Sequence, residues 1–202
     1  MTPPGRRTQQ QRSEATTADL LSAARHLFAA DGYATTSLDA VCERAGVSRG
    51  ALYHHFRNKE ALFLAVYERE QRALAAAIAE EFGRHLDPWE GLIAGCRVFL
   101  VRAHEPAVQR ITIIDAPSAL GWDAVRAVRE DCRHMMRIGV SRAVRAGSIA
   151  DRQVEALASL LHGALCEGAV AVACAPDPAA TLEAVLAELV RLLDALAATP
   201  RA

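Results

Sequence analysis

The sequence predicts an all-α protein of about nine helices, and three observations carry that prediction. Apolar residues are 51% of the 202 residues but aromatic residues are only 5%. The apolar content is therefore mostly Ala, Leu and Val, a bias that favours helices over strands. Apolar residues also recur at helical spacing along most of the chain. The one β-like run, Ile111-Thr112-Ile113-Ile114, is too isolated to pair into a sheet.

The N-terminal segment predicts a basic arm followed by a first helix. Residues 1–12 contain two prolines, one glycine and three arginines without an acid, which is typical of a disordered arm. A helical period begins near Ser13, with Leu20, Ala24, Leu27 and Phe28 on one face. It ends near Gly32, a residue suited to a left-handed helix cap.

Two short helices are predicted next. Thr36 caps the second helix in a capping box with Asp39, or Ser37 is the cap instead. Gly46 ends that helix and Ser48 caps the third. Because Leu52 is expected to face inward together with Phe56, the third helix is held to the core by its apolar face.

The rest of the chain reads as longer helices separated by Gly, Pro and capping residues. The predicted spans are Lys59 to about Phe82, Pro88 to about Ala103, Pro106 to about Asp115, a segment after Gly121 through Arg145, Asp151 to Ala175, and 179 to about 198. We expect residues 13–60 to form one domain that continues into the fourth helix (59–82), and residues 83–202 to form a second.

The second and third helices, with the tight turn at Gly46, predict a helix-turn-helix unit. In such a unit the N-terminal residues of the second helix face the major groove of DNA. If Leu52 and Phe56 face the core, then Arg49, Gly50, Tyr53 and His54 face outward. His55 is expected to pack beside Phe56. Residues 44–59 contain Arg44, Arg49, Arg57 and Lys59 without an acid, in keeping with an anionic partner.

The stretch from about Leu20 to Tyr67 resembles the DNA-binding domain of TetR/AcrR-family transcriptional regulators. It contains A-x-x-L-F-A-x-x-G-Y-x-x-T-[TS], then A-G-V-S-x-G-x-L-Y-x-H-F and K-E-x-L. The resemblance implies an all-helical homodimer that binds DNA with its N-terminal helices and a ligand with the others. The DNA contacts that it implies are Thr36 or Ser37, Ser48, Arg49, Gly50, Tyr53, His54 and Lys59.

The last two predicted helices carry wide apolar stripes. The final helix has Leu182, Leu186, Leu189, Leu193 and Leu196, widened by Val185, Val190 and Leu192, and the helix before it has Leu157, Leu160, Leu161, Ala164 and Leu165. A stripe that wide can meet both its own core and a second chain. We therefore expect homodimerisation through these two helices.

Candidate effector-binding residues come from the predicted second domain, although ordinary core packing is the better explanation of each of them taken alone. They are Phe99, His104, Trp122, His134, His162 and Cys166, with Trp89, Met135 and Met136 as further candidates. His162 and Cys166 are four residues apart, but a third metal ligand in register is missing. The sequence therefore predicts no metal site.

Several classes of protein are disfavoured by the sequence. The five cysteines show no CxxC pairing and the start has no apolar signal region. No stretch is expected to span a bilayer. Motifs of nucleophilic, metal-dependent or phosphate-loop enzymes are lacking, so we expect no enzyme, no catalytic residues and no cofactor. A cytoplasmic location is expected.

The leading expectation is a sequence-specific DNA-binding transcriptional regulator: a homodimeric repressor released from a palindromic operator by an unknown small-molecule effector. Net charge supports DNA contact at the amino end, where residues 1–60 hold 8 Lys and Arg against 6 Asp and Glu. A transcriptional activator of the same family, or a DNA-binding protein without an effector, remains as the alternative.

Overall fold

The computed structural model describes residues 9–197, which form ten α-helices. In chain order these are α1 (Gln9–Asp31), α2 (Leu38–Ala45), α3 (Arg49–His55), α4 (Lys59–Phe82), α5 (Pro88–Ala103), α6 (Pro106–Gln109), α7 (Ala116–Val128), α8 (Glu130–Ala146), α9 (Val154–Ala173) and α10 (Pro178–Asp194). The all-α prediction is confirmed. Within the described residues the only β-type pairing is an isolated bridge between Ile149 and Ala197.

Helix α1 already includes Gln9, the first described residue, and so extends further toward the amino end than the predicted start near Ser13. The Gln10 amide donates to Glu14, and the Thr16 hydroxyl donates to the carbonyl of Arg12. Residues 1–8 of the predicted basic arm lie outside the described residues, as do residues 198–202.

The predicted helix end near Asp115 is wrong, whereas the predicted start of a new segment after Gly121 is confirmed by the non-helical backbone of Gly121 inside α7 (φ 79°, ψ 165°). The Ile-rich run that looked β-like is part of a π-helical segment, Arg110–Asp115, which continues directly into α7. Pro117 lies just after the π-helical segment in this continuous run, where its missing N–H removes one backbone hydrogen bond without ending the helix. The predicted single helix through Arg145 is instead divided at Arg129, between α7 and α8.

Two apolar cores are joined by α4. The N-terminal core holds Leu20, Phe28, Leu52 and Phe63 among others. The second core includes Leu74 of α4 and lies between α5, α8, α9 and α10. Helix α4 thus belongs to both predicted domains.

The N-terminal core also takes side chains from far along the chain. Ile111, Ala116 and Val125 are fully buried there. The π-helical segment and α7 are therefore packed directly on the helix-turn-helix domain. A shift of these elements changes the packing of that domain, since close-packed interiors transmit displacement.

The predicted leucine stripe of α10 packs mainly on its own chain. Leu189 and Leu193 are buried, and Leu182, Leu186 and Leu196 lie against the second core. Three other residues of the two predicted dimer helices, Leu160, Val170 and Leu192, are exposed.

Helix α9 is unusually apolar for one with so much exposed surface. By length and composition alone, Val154–Ala173 is able to cross a membrane, and it is the one such helix among residues 9–197. Apolar core helices of water-soluble proteins meet the same criterion. In this structure α9 packs on α5, α8 and α10.

Candidate nucleic-acid interface and ligand cavities

Local capping positions the two short helices. Ser37 accepts a hydrogen bond from the Ala40 amide at 3.1 Å and so caps α2. Gly46 ends α2 with φ 67°, a left-handed conformation that favours glycine. Ser48 then caps α3 by accepting from the Ala51 amide at 3.2 Å. Each cap contributes about 1 kcal/mol to helix stability.

The side chains of α3 divide as the helical spacing predicts. Leu52 is fully buried and Phe56 is 8% exposed. Arg49, Gly50, Tyr53 and His54 lie on the exposed side, and we call these four residues the recognition face. A Cβ atom on Gly50 would meet only the Ser48 hydroxyl, at 3.9 Å. The glycine is therefore not required by packing within the chain.

Of the two alternative caps for α2, Thr36 is excluded. Its side chain is 4% exposed, and its hydroxyl donates to the Gly32 carbonyl at 2.8 Å. A hydroxyl buried in this way has no access to a phosphate. Ser37 is exposed, and it is the N-cap of α2.

His55 packs as expected, whereas Lys59 has a role that the sequence did not indicate. The Nδ1 atom of His55 lies 3.2 Å from the hydroxyl of Thr17 on α1. The Lys59 ammonium donates to the carbonyls of Ala34 and Thr36, at 3.0 and 2.8 Å. It also lies 4.5 Å from the centre of the Tyr33 ring. Lys59 thereby anchors the loop between α1 and α2.

Arg49 is engaged by the preceding helix. Its Nε atom lies 2.8 Å from Oδ1 of Asp39, and both side chains are exposed. Asp39 is in the first turn of α2, so the ion pair joins the two helices of the helix-turn-helix at their surface. The sequence analysis had placed Asp39 only in a capping box.

A cavity of about 290 Å³ lies inside the second core, between α4, α5, α8 and α9, and we call it the inner cavity. Its walls are almost wholly apolar, with Ile78, Phe82, Leu92, Phe99 and Met136 among the lining residues. Burial raises the pKa of the Cys96 thiol to about 12 and that of the Cys132 thiol to about 11. Both therefore stay protonated at neutral pH, and the cavity is suited to binding rather than to nucleophilic chemistry.

A second, more polar cavity of about 540 Å³ opens between α7, α8 and α9, and we call it the outer cleft. It is lined by Trp122, Asp123, Val125, Arg126, Arg129, Arg133, Ser159, His162, Gly163 and Cys166. His162 lines both cavities. Burial, followed by Arg129 and Arg133, lowers the pKa of His162, so the ring is neutral at pH 7.

Arg129 connects the outer cleft to the rest of the fold. Its Nε atom donates to the hydroxyl of the fully buried Tyr67 on α4, at 3.0 Å. Its Nη2 atom donates to the Thr112 carbonyl in the π-helical segment, at 3.1 Å. Burial raises the pKa of the Cys166 thiol at the cleft, while Arg129 opposes that shift.

The π-helical segment is in turn joined to the loop that precedes α2. Asp115 accepts from the Tyr33 amide at 2.7 Å and from Nε of Arg110 at 3.1 Å. The Arg110 guanidinium lies so close to Gly32 that a Cβ atom there would be 1.9 Å from Nη2. Through Tyr33 and Lys59, contacts continue from the outer cleft to the helix-turn-helix.

The predicted ligand residues are only partly brought together. Phe99 lines the inner cavity, Trp122 and Cys166 line the outer cleft, and His162 lines both. His104 lies at the end of α5 and His134 is exposed beside Arg137, and neither lines one of these two cavities. We therefore remove His104 and His134 from the set.

Sequence reasoning missed the three arginines of the outer cleft. Arg126, Arg129 and Arg133 are spaced at i, i+3 and i+7. That spacing puts side chains on one helical face, and it was the available signal. The bend at Arg129, which turns the three toward one opening, is not visible in the sequence.

The chain matches known families over most of its length. Residues 20–66 match the family described as bacterial regulatory proteins, tetR family. Residues 89–196 match the tetracyclin repressor-like C-terminal domain.

Individual curated proteins similar to this chain are also transcriptional regulators. The chain is 34% identical to the HTH-type transcriptional repressor AcnR of Corynebacterium jeikeium over 59% of this chain and 62% of that protein. It is 38% identical to the HTH-type transcriptional regulator UidR of Escherichia coli K12 over 41% of this chain and 39% of that protein. The matched region thus spans less than two thirds of the length of either curated relative.

A solved structure extends the similarity to nearly the whole chain. The crystal structure of a TetR-family transcriptional regulator from Pectobacterium atrosepticum superposes with a TM-score of 0.86 and 37% sequence identity. The alignment covers 96% of this chain and 100% of that one.

Proposed function

The chain belongs to the TetR family of bacterial regulatory proteins, and from this premise we propose that it is a sequence-specific DNA-binding transcriptional regulator. It acts as a homodimeric repressor that a small-molecule effector releases from a palindromic operator. The observation that carries the proposal is the recognition face: four residues exposed on a short helix whose other side is buried in the core.

The recognition face suits the major groove. Arg49 reaches base edges or phosphates, the Tyr53 hydroxyl and a His54 nitrogen donate to phosphate oxygens, and Gly50 permits close approach. Ser37 and Ser48, at the N-termini of α2 and α3, are exposed and add hydroxyl groups where the helix dipoles favour phosphate. Lys59 acts mainly by anchoring the loop before Ser37, and one N–H of its ammonium remains for a phosphate.

Dimerisation through α9 and α10 brings two recognition faces to one operator. Leu160 is 72% exposed on α9 and Leu192 is 61% exposed on α10, with Ala164 and Ala171 exposed on the same face of α9 as Leu160. We call these four residues the dimer face. Covering them with a second copy removes apolar surface that a monomer would leave in water. It also accounts for the apolar character of α9 in a protein that acts on DNA in the cytoplasm.

The inner cavity and the outer cleft are the effector site in this proposal. A ligand that favours one arrangement of α7, α8 and the π-helical segment shifts the population of dimers toward it. The contacts of Arg129 with Tyr67 and Thr112, and of Asp115 with Tyr33, carry that preference to the helix-turn-helix. Operator affinity and effector affinity are then coupled reciprocally.

The test is selection of bound duplexes from a random DNA pool by the purified full chain, followed by anisotropy titration at fixed salt. We expect an enriched palindrome whose half-sites lie one helical turn, or a multiple, apart. The selected duplex should bind at much lower concentration than random DNA. Equal affinity for both duplexes would reject sequence-specific binding.

Two variants test the recognition face itself. Tyr53→Phe should weaken selected and random duplexes alike, because a phosphate contact carries no sequence information. Gly50→Ala should leave the fold intact but weaken DNA binding about tenfold, since an added methyl in a tight contact costs about 1–3 kcal/mol. Gly83→Ala is the matched control, because Gly83 has helical backbone angles at the end of α4, a Cβ atom there would make only ordinary contacts (3.4 Å to the Ala79 carbonyl), and it lies on neither the recognition face nor the dimer face. Unchanged DNA affinity in Gly50→Ala would remove that residue from the interface.

A further inference from the structure

The charge of the outer cleft is incompletely balanced. Three arginines and one acid, Asp123, line it. Arg133 is ion-paired with Glu130 on its own helix. Within residues 9–197, neither Arg126 nor Arg129 forms an ion pair with a carboxylate, in contrast to Arg133 and Arg137.

Arg129 is the unusual member of this set. It is half-buried, yet its hydrogen bonds go to neutral groups: the Tyr67 hydroxyl, the Thr112 carbonyl and the Cys166 thiol. Arginine is seldom removed from water without a negative partner. The geometry leaves its remaining N–H groups beside the cleft, where a planar oxyanion matches the guanidinium fork.

A cavity that can hold the apolar part of such a ligand lies next to the outer cleft. The inner cavity is almost wholly apolar, and its wall is shared with the outer cleft at His162. The His162 ring is neutral at pH 7, because burial and the neighbouring Arg129 and Arg133 lower its pKa. A neutral ring at this boundary can donate to an oxyanion or contact an apolar chain. Trp122, 74% exposed at the cleft, adds an aromatic wall.

We propose that the effector is an amphipathic organic acid, whose oxyanion binds Arg126 and Arg129 in the outer cleft and whose apolar body enters the inner cavity past His162. This rests on the proposed effector-responsive function and names the ligand class for it. An oxyanion on the remaining N–H groups of Arg129 binds the same guanidinium that holds Tyr67 and Thr112. The acid thus acts on the residue that links the cleft to α4 and the π-helical segment.

The test is isothermal titration of the full chain, without DNA and in a phosphate-free buffer of low salt, with matched acid and alcohol probes. The pairs are octanoate with octanol and 3-phenylpropionate with 3-phenylpropanol, and octyl phosphate distinguishes a phosphate head from a carboxylate. We expect at least one acid to bind about tenfold or more tightly than its alcohol, and the difference to shrink with added salt. Equal affinity of acid and alcohol in both pairs and for octyl phosphate would overturn the proposal.

Variants localise the site. Arg126→Gln and Arg129→Gln should each lower acid affinity about tenfold and leave alcohol affinity unchanged, since a charge-assisted hydrogen bond is lost. Arg145→Gln, an exposed arginine near the end of α8 that lines neither cavity, should change neither. Arg126 is exposed and forms no side-chain hydrogen bond or ion pair within residues 9–197, so its variant stays informative if Arg129→Gln unfolds. Full acid affinity in Arg126→Gln would overturn the assignment of the cleft.

The ligand titration and the DNA-binding experiments test the two proposals independently. The titration contains no DNA, so a chain that binds acids but selects no operator would keep this site and lose the proposed function. A chain that selects an operator but does not distinguish acids from alcohols would keep the function and lose this site.

Discussion

The Nε atom of Arg49 lies 2.8 Å from Oδ1 of Asp39, so the first side chain of the recognition helix is held by the first turn of the helix before it. Both groups are exposed, and an exposed pair of this kind contributes little to folding stability. The ion pair matters instead for the proposed contact of Arg49 with DNA. Asp39 holds the Arg49 side chain in one direction and places a negative charge beside the recognition face.

Asp39→Asn should therefore increase affinity for random DNA more than for the selected operator. Removing a carboxylate near phosphates relieves repulsion worth about 0.3–1 kcal/mol, or roughly twofold to fivefold in affinity. Freed from Asp39, Arg49 samples more directions, and the ratio of operator to random affinity falls. Anisotropy titrations of both duplexes at one salt concentration measure the ratio. Glu43→Gln removes an exposed acid from the same helix, and an equal fall in that control would mean that charge alone is responsible.

Lys59→Met should destabilise the protein as well as weaken DNA binding. Lys59 is the only lysine in the chain. Its ammonium donates to the Ala34 and Thr36 carbonyls and lies over Tyr33. Losing two hydrogen bonds and a cation–π contact should lower the free energy of unfolding by about 1–3 kcal/mol.

Urea denaturation measures the loss, and Arg57→Met is the control, an exposed cation two positions earlier without an ion pair among the described residues. We expect the control to keep wild-type stability. If Lys59→Met also keeps it and only DNA affinity falls, Lys59 is a simple phosphate contact and not an anchor of the loop.

Leu160→Glu combined with Leu192→Glu should convert the dimer to a monomer. Burying two carboxylates in an apolar interface costs several kcal/mol, which exceeds the margin of most dimers at micromolar concentration. Light scattering after size exclusion reports the mass. Leu86→Glu replaces a leucine that is fully exposed in the turn between α4 and α5, and this control should stay dimeric. A double variant of unchanged mass would place the interface elsewhere.

Because of His162, the folding stability of the protein should decrease as the pH is lowered. Burial, Arg129 and Arg133 lower its pKa, so around and below the ordinary value of 6.5 the unfolded chain binds a proton that the folded chain does not. Stability from this residue is therefore fully present above pH 6.5 and is lost as the pH falls below it. His162→Gln should flatten the decline in melting temperature between pH 7 and pH 5.

The control for this prediction is His134→Gln on the exposed face of α8, which should keep the wild-type slope. Because the pH dependence of stability is the sum over all titrating groups, only the difference between the slopes of the two variants is diagnostic. Identical slopes would show that the ring of His162 becomes protonated as easily in the folded chain as in the unfolded one.

The helix-turn-helix could be predicted almost residue by residue because its boundaries depend on local chemistry. Gly46, Ser48 and Asn58 act within their own turns, and α2, α3 and α4 span the predicted residues. The exposed side of α3 followed from the positions of Leu52 and Phe56 alone. The partition of Tyr53 outward and His55 inward needed no more than helical spacing.

Other features depended on contacts between distant parts of the chain. Thr36 and Ser37 are equivalent caps in the sequence, and only the burial of Thr36 beneath α1 separates them. A helix end was expected near Asp115 because the proline that follows at 117 ends many helices, yet the helix continues past Pro117 as far as Gly121. In the sequence, the leucines of α10 were compatible both with packing in the core and with a dimer interface. The packing of α10 on α5 and α9 assigns most of them to the core.

The sequence by itself determined an all-α chain with a capped helix-turn-helix and an outward face of Arg49, Gly50, Tyr53 and His54, because caps and helical periodicity act over a few residues. Only the tertiary structure decided that Lys59 anchors a loop, that Asp39 holds Arg49, and that Arg129 joins an arginine-lined cleft to Tyr67 and Thr112. These relationships join groups that are distant in the sequence. Their existence depends on how the helices pack, which no local pattern encodes.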